Sequence, residues 1–347
     1  MTSPAAPSEP KISIYQGSTQ FRNWRYSAEQ LAQTRQTLNE VAIAAIRKTF
    51  ETDESGSSQG VAFLTADEEV LLVKLYISKI TQLCGLFRFP EEVEATAVTY
   101  LKRFYLKNTV MDWHPKNVML TALFLATKTT NNPISLEIYT THIPKTSPSD
   151  VLDLEFLVAQ SLNFEFAIWH AHRALWGLWL DIQNLSSYTE RLDTEIYDAA
   201  LNHVRASRLT DVELRFSPSQ IALASLSLIQ PELASQWMES KLTSPSEVEG
   251  LAKTVEVIKS IVVSQGLPPS VESVREVDRR LRLCKNPEKV PGTKAFLARK
   301  MDDDRLAAEK RSKKVADIQR TENGDPFGNE LGQKRGLVDY DDDDDDD

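Results

Sequence analysis

The chain has 347 residues, of which 41% are hydrophobic and 26% charged, a composition typical of a globular protein of about two domains. Its 12 glycines are about half the usual share, which disfavours phosphate-binding loops and favours helices. The two cysteines, Cys84 and Cys284, make neither a disulfide framework nor a zinc pattern. No apolar run approaches the ~20 residues of a membrane span, and residues 1–10 lack a signal-peptide core, so we expect neither a membrane nor a secreted protein.

The net charge of −10 is distributed unevenly. Eight negative charges come from Asp339 and Asp341–Asp347, so the rest of the chain carries only −2. Between positions 285 and 320, eleven Lys or Arg residues oppose six acidic ones. A nearly neutral body predicts no direct contact with nucleic acid. The segment 286–347, basic and then acidic, is predicted to be largely disordered.

The first sixty residues predict a flexible leader and then one helix. Three prolines mark 1–20 as the leader. Ser27 and Gln30 form a capping box, and the helix that they begin continues to about Phe50, ahead of a loop rich in Gly and Ser. The N-terminal helix and its loop therefore occupy 21–60.

Three aromatic residues, Phe21, Trp24 and Tyr26, stand immediately before this helix in polar sequence. Two interpretations are open. The aromatic side chains either staple the helix onto the body of the protein, or they anchor a partner, since exposed Trp and Tyr are frequent interface hot spots.

Residues 61–166 show five segments with helical spacing of apolar residues. A capping box of Thr65 with Glu68 begins the first, and prolines at positions 90, 115 and 148 begin others. The helix that starts at Pro115 is apolar on most sides, which predicts a central, buried position. Five helices in about 100 residues predict one compact α-domain.

The same pattern then repeats. Pro115–Leu125 can be laid on Pro218–Leu228 with a constant offset of 103, matching the proline and four aliphatic residues. A duplicated five-helix domain is therefore predicted over 167–266, and Pro268-Pro269 begins a further helix within 267–285. The predicted fold class is all-α, with two tandem five-helix repeats and an additional helix at each end.

Signals for catalysis or cofactor binding are weak. The chain has no GxGxxG, phosphate-loop, GxSxG or HExxH motif. His170 and His172 lack nearby acidic or cysteine residues to complete a metal site, so a packed or surface pair is the better interpretation. Trp169, Trp176 and Trp179 lie at the junction of the repeats, where core or interdomain packing is expected. We predict a protein that is not an enzyme and has no cofactor or metal.

The two five-helix repeats resemble the cyclin family, over roughly Phe21 to Cys284. Within the family, several segments are most similar to the cyclin H group. They are Phe21–Ser27, Tyr100–Pro115, Leu209–Asp211 and Pro218–Ala222, whereas Leu123–Lys128 and Leu157–Phe166 resemble the third-helix and fifth-helix segments of cyclins in general. The resemblance makes 61–166 the first cyclin box and 167–266 the second.

The resemblance implies partners and a role. The chain would bind the cyclin-dependent kinase of the CDK-activating kinase complex, with a RING-finger assembly factor as third subunit and the TFIIH core reached through that trimer. The first box would pack against the kinase αC helix and bring its glutamate beside the ATP-binding lysine, a pairing that phosphoryl transfer requires. Phosphorylation of the RNA polymerase II C-terminal domain, transcription initiation and activation of cell-cycle kinases would follow. A nuclear location is expected, and the basic run Lys310–Lys314 resembles an import signal.

The resemblance also implies a kinase-binding surface. Its expected residues are Phe21, Trp24, Tyr26, Arg88, Phe89, Lys128, Asn131, Tyr139 and Glu155. Cyclins usually carry a lysine after the first box helix and a glutamate just beyond the third, where this chain has Arg88 and Asn131. Either this contact with the kinase is weaker here, or the N-terminal helix and its aromatic residues supply more of the affinity. We hypothesise the second.

Two alternatives stay open. A cyclin-fold initiation factor would bind DNA, which requires basic surfaces that the nearly neutral body does not offer. A helical scaffold would bind protein without any kinase.

Overall fold

The computed structural model describes residues 13–53, 56–184 and 193–324, and every regular element in these ranges is a helix. The prediction of an all-α protein is confirmed. The N-terminal segment and first box contain α1 (Thr19–Asn23), α2 (Ala28–Asp53), α3 (Ala66–Phe87), α4 (Glu91–Phe104), α5 (Pro115–Thr129), α6 (Leu136–Thr141), α7 (Ser149–Leu152) and α8 (Glu155–Ser161). The second box and the segments after it contain α9 (Ala171–Ile182), α10 (Thr194–Ser207), α11 (Val212–Arg215), α12 (Pro218–Ser227), α13 (Pro231–Lys241), α14 (Pro245–Gln265), α15 (Val271–Cys284), the 3₁₀ turn Pro287–Lys289 and α16 (Lys294–Gly324).

The helix-start signals act as the sequence predicts. The Thr65 hydroxyl accepts from the backbone N–H of Glu68, whose carboxylate accepts from the N–H of Thr65. Ser27 and Gln30 make the same reciprocal pair at the start of α2. Pro115 and Pro218 each occupy the first turn of their helix, where the missing N–H costs nothing.

The first box surrounds α5, whose residues from Val118 to Thr127 are all buried. Helix α15 returns to this same core, and Val274, Val277 and Leu281 pack into it. Helix α3 is long and apolar enough to cross a membrane by length and composition alone, but its buried residues, among them Leu72 and Ile80, belong to this core. The second box has its own core around α12.

Three parts of the chain differ from the sequence-based expectation. Residues 13–20 are held against the body rather than free: the side chain of Gln20 is buried and bonds to the backbone of Trp169. The expected fifth helix of the first box is broken into α7 and α8 where Leu154 leaves ideal helical geometry (φ −101°, ψ −4°). The prediction of a disordered segment from position 286 is wrong for Lys294–Gly324, because strong helix formers dominate its sequence. Asp339 and Asp341–Asp347 lie outside the described residues.

Candidate protein-docking site

Stacked aromatic rings connect three helices on one side of the first box. Phe87, at the end of α3, stacks on Phe89 with ring centroids 5.2 Å apart, and on Tyr139 of α6 at 5.4 Å. Tyr139 in turn packs on Phe124 of α5 at 5.4 Å. The Tyr139 hydroxyl donates to the carbonyl of Leu120 at 2.9 Å, and the residue is fully buried. These rings form a rigid base beneath the surface.

An ion pair stands at one end of this base. Lys128, in the last turn of α5, extends over the Phe124 ring (4.6 Å to the centroid) and donates to Glu155 Oε1 at 2.6 Å. Glu155 begins α8, so the break between α7 and α8 sets its position. The Lys128 side chain is 44% exposed, and exposed pairs stabilise a fold by only ~0–1 kcal/mol. The pair is therefore better suited to recognition than to stability.

Two exposed phenylalanines lie together in the segment that follows Glu155. Phe156 follows Glu155 directly and is 69% exposed; Phe164 is 55% exposed, and the two ring centroids are 6.1 Å apart. Leu86, Ile138 and Leu152 add further exposed apolar side chains to the first box. Clustered exposed apolar surface with charged neighbours is typical of protein-interaction sites. We call Lys128, Glu155, Phe156 and Phe164 the docking face.

Phe156 and Phe164 are not among the binding residues predicted from the sequence. A signal was present for Phe156, because it falls outside the helical stripe of Leu154, Leu157 and Val158 that faces inward. No comparable signal existed for Phe164, whose exposure depends on the backbone after α8. The sequence also gave no indication that Lys128 pairs with Glu155, 27 positions further on.

Arg88 and Asn131 both lie on the surface at helix ends, with positive φ values of 54° and 57°. Within the described part of the chain, neither side chain makes a hydrogen bond or ion pair. Their role in kinase binding stays a prediction. On the side of the first box where the aromatic rings stack, Lys128 and Glu155 form a lysine–carboxylate ion pair.

The aromatic residues before α2 are mostly turned inward. Trp24 is 1% exposed, its indole Nε1 donates to Glu165 Oε2 at 2.5 Å, and the Arg103 guanidinium lies 4.6 Å from its ring centroid. Phe21 and Tyr26 are half-buried. Buried rings offer little surface to a partner, and a part for Trp24 and Tyr139 in kinase binding stays a prediction. For Trp24 the stapling interpretation is the one that the structure favours.

Charged side chains fill the boundary between the boxes. Glu91 of α4 accepts hydrogen bonds from Arg205 at 2.7 Å and from Arg208 at 2.6 Å. Burial would raise the pKa of Glu91, but the hydrogen bond from Arg205 and the charge of Arg208 hold it at about 2. We call Glu91, Glu94, Arg205 and Arg208 the charged seam, since Arg208 also bonds Glu94 at 3.0 Å.

The two histidines predicted to be a packed or surface pair stack on each other, with centroids 5.2 Å apart. His170 Nε2 lies 3.0 Å from the Thr96 hydroxyl. Burial and the nearby Arg208 lower the pKa of His172 to about 4, and burial lowers that of His170 well below its usual value. Both rings are therefore neutral at physiological pH. Of the three tryptophans at the junction, Trp179 is buried, while Trp169 and Trp176 are about half exposed.

Two family models match the chain. Residues 65–167 match the cyclin N-terminal domain and residues 170–263 the cyclin C-terminal domain, which together cover more than half of the chain. The chain therefore belongs to the cyclin family. Cyclins are regulatory subunits of protein kinases and are generally non-catalytic.

Within the family, the chain is similar to cyclin H and to cyclins related to it. The chain is 30% identical to Cyclin-H of Xenopus laevis (79% of this chain and 88% of the relative covered). It is 28% identical to Cyclin mcs2 of Schizosaccharomyces pombe (90% and 98% covered). A chain in the cryo-EM structure of the yeast TFIIK (Kin28/Ccl1/Tfb3) complex superposes with a TM-score of 0.60 at 30% identity (72% and 100% covered). The resemblance to the cyclin H group is confirmed.

Proposed function

We propose that this chain is the cyclin subunit that binds and activates the cyclin-dependent kinase of a CDK-activating kinase complex within TFIIH. The observation that carries the proposal is the docking face, which combines a partly exposed ion pair with two exposed phenylalanines on the first cyclin box. The relatives support the same role, because one of them is a subunit of a complex that contains the proteins Kin28 and Tfb3.

Activation would work through binding alone. The cyclin supplies no reacting group; it binds the active arrangement of the kinase more tightly than the inactive one and thereby shifts the population. In the active arrangement the αC glutamate pairs with the ATP-binding lysine. Phe156 and Phe164 would enter apolar pockets of the kinase, while Lys128 and Glu155 would fix the register through hydrogen bonds. A stable complex of this kind buries on the order of 1,600 Å² in total.

The remaining parts of the proposal concern the assembly. A RING-finger assembly factor would complete the trimer, and the trimer would join the TFIIH core. The activated kinase would phosphorylate the RNA polymerase II C-terminal domain during transcription initiation, in the nucleus, and this chain would have no catalytic activity of its own. The Tfb3 subunit in the yeast TFIIK complex supports a third subunit, and the basic run Lys310–Lys314 supports the nuclear location.

The test is affinity purification of the full chain, followed by identification of the kinase that accompanies it and an assay of that kinase. Lys128→Met should weaken kinase binding about tenfold or more, because it leaves Glu155 unpaired in the interface. Lys241→Met is the matched control: Lys241 forms a similarly exposed pair with Asp181 at 2.9 Å in the second box, and its loss should leave binding unchanged. Recovery of no kinase, or of DNA in its place, would refute the proposal.

A further inference from the structure

We infer that the N-terminal segment positions Phe164 for the kinase through a hydrogen-bonded clamp between Trp24 and Glu165. Trp24 is thus a positioning residue that does not itself touch the partner. The inference rests on the proposed function, because it assigns the docking face to a kinase.

The backbone at Phe164 is in an unfavourable conformation. Asn163 and Phe164 both adopt the left-handed helical region, with φ values of 55° and 58°. Asparagine tolerates this region, but for a bulky side chain such as phenylalanine it is a genuine outlier. Such a conformation persists only where the surrounding structure enforces it, and it occurs preferentially at functional sites. Something must therefore hold this turn.

The N-terminal segment holds the residue that follows Phe164. Both carboxylate oxygens of Glu165 are used: Asn23 Nδ2 donates to Oε1 at 2.6 Å, and Trp24 Nε1 donates to Oε2 at 2.5 Å. The residue that precedes Phe164 is tied to the same place. Lys107 donates to Asn163 Oδ1 at 2.7 Å, and its ammonium lies 5.0 Å from the centroid of the Trp24 ring. Trp24 therefore acts on both neighbours of Phe164. It bonds Glu165 directly, and its ring lies beside the Lys107 ammonium that bonds Asn163.

The segment is itself fixed at other points, so it can act as a rigid support. The backbone N–H of Tyr26 donates to the carbonyl of Leu214 in the second box at 2.8 Å, and Arg25 donates to the carbonyl of Arg215 at 2.9 Å. The side chain of Trp24 packs with Leu106 and Leu214 in a small cluster of buried residues between the boxes. The clamp therefore connects the docking face to both cyclin boxes before any partner arrives.

Preorganisation of this kind increases affinity because the turn need not be ordered on binding. It also lets Trp24 contribute to kinase binding although its ring is buried. Phe164 would be presented in one orientation, and loss of the clamp would let it leave the left-handed conformation.

The experiment is a double-mutant cycle on the full chain with the purified kinase. Trp24→Phe keeps an aromatic ring in the buried cluster but removes the Nε1 donor together with part of the indole. It should weaken kinase binding by about five- to tenfold in the wild-type background, but by less than about twofold when Phe164→Ala is already present. The KM of the assembled kinase for a peptide substrate should not change, since the clamp acts on assembly and not on the substrate.

The chain contains a matched control in Trp237→Phe. Trp237 Nε1 donates to Asp181 Oδ2 at 2.7 Å in the second box, so the same type of indole–carboxylate bond is removed far along the chain from the docking face. This variant should bind kinase as the wild type does, and melting temperatures of all variants exclude general unfolding as the cause. An equal loss with Phe164→Ala present, or an equal loss in Trp237→Phe, overturns the inference while the proposed function stands. Failure of the wild-type chain to bind any kinase overturns both.

Discussion

The two cyclin boxes have closely related cores and different surfaces. In the first, α5 runs for 15 residues from Pro115; in the second, α12 runs for only 10 from Pro218, although the two helices align with an offset of 103. The position that corresponds to Lys128 is Pro231, which already begins the next helix. The additional turn of α5 carries the lysine of the docking face. Duplication preserved the buried helix, and the end of that helix diverged.

The exposed aromatic residues of the two boxes also differ. In the first box two exposed rings, Phe156 and Phe164, lie together, whereas Trp176, the exposed aromatic residue of α9, packs edge-to-face on the partly buried Tyr197. Equivalent cores therefore do not imply equivalent sites. Four predictions follow in order of decreasing effect. The first and the last test whether the two boxes are equivalent, and the other two test the charged seam between them.

Truncation of matched core residues should have the largest effect. Leu123 in α5 and Leu226 in α12 are equivalent by the offset, and both are 0% exposed. Each Leu→Ala change should reduce the free energy of unfolding by about 3–5 kcal/mol, through lost burial and a residual cavity. Urea denaturation of both variants measures this. A cost below about 1 kcal/mol in either box would show that the two cores are not equivalent.

Disruption of the charged seam should come next. Arg208→Met leaves Glu91 and Glu94 without their shared partner, and the Arg208 side chain is only 6% exposed. We expect a loss of about 3 kcal/mol in the free energy of unfolding. The control is Lys253→Met, which breaks the exposed pair with Glu249 and should cost less than about 0.5 kcal/mol. Similar costs in the two variants would mean that the seam does not couple the boxes.

Acid should weaken the seam through Glu91. Its pKa is about 2 in the folded chain against an ordinary 4.5, so its contribution is complete above pH ~4.5 and is lost as the pH falls toward 2. After allowance for solvent screening, the contribution is about 1–2 kcal/mol. Denaturation midpoints of the wild type and Glu91→Gln should differ at pH 6 and converge near pH 2. A difference that does not change with pH would contradict the assignment.

Loss of a capping box should have the smallest effect, and it should be similar in the two boxes. Thr65→Ala removes the cap of α3 and Ser217→Ala that of α12, where Ser217 and Gln220 make the same reciprocal bonds. Each should cost about 1 kcal/mol in thermal or chemical unfolding. Ser78→Ala, within α3, removes a hydroxyl that caps no helix and provides the reference. An effect limited to one box would break the equivalence at the level of local structure.

Much of the fold could be predicted from the sequence because its signals are local. Thr65, Pro115 and Pro218 begin helices for reasons confined to a few neighbouring residues, and the constant offset revealed the duplication. The candidate site was predictable only in part. Lys128 and Glu155 were named separately, but their pairing depends on a helix break that no residue signalled. Trp24 was identified as important, yet the sequence could not distinguish a staple from an anchor.

The amino-acid order alone determined most of the helices, the two repeats and the family, because apolar periodicity and capping act over one or two turns. Only the tertiary structure decided which aromatic rings face solvent and which carboxylate meets which cation. Trp24 is buried, while Phe164, held in a left-handed turn, is exposed. The physical reason is that burial and charge pairing are properties of surfaces assembled from distant segments, and the free energy of each contact depends on neighbours that the linear sequence does not place side by side.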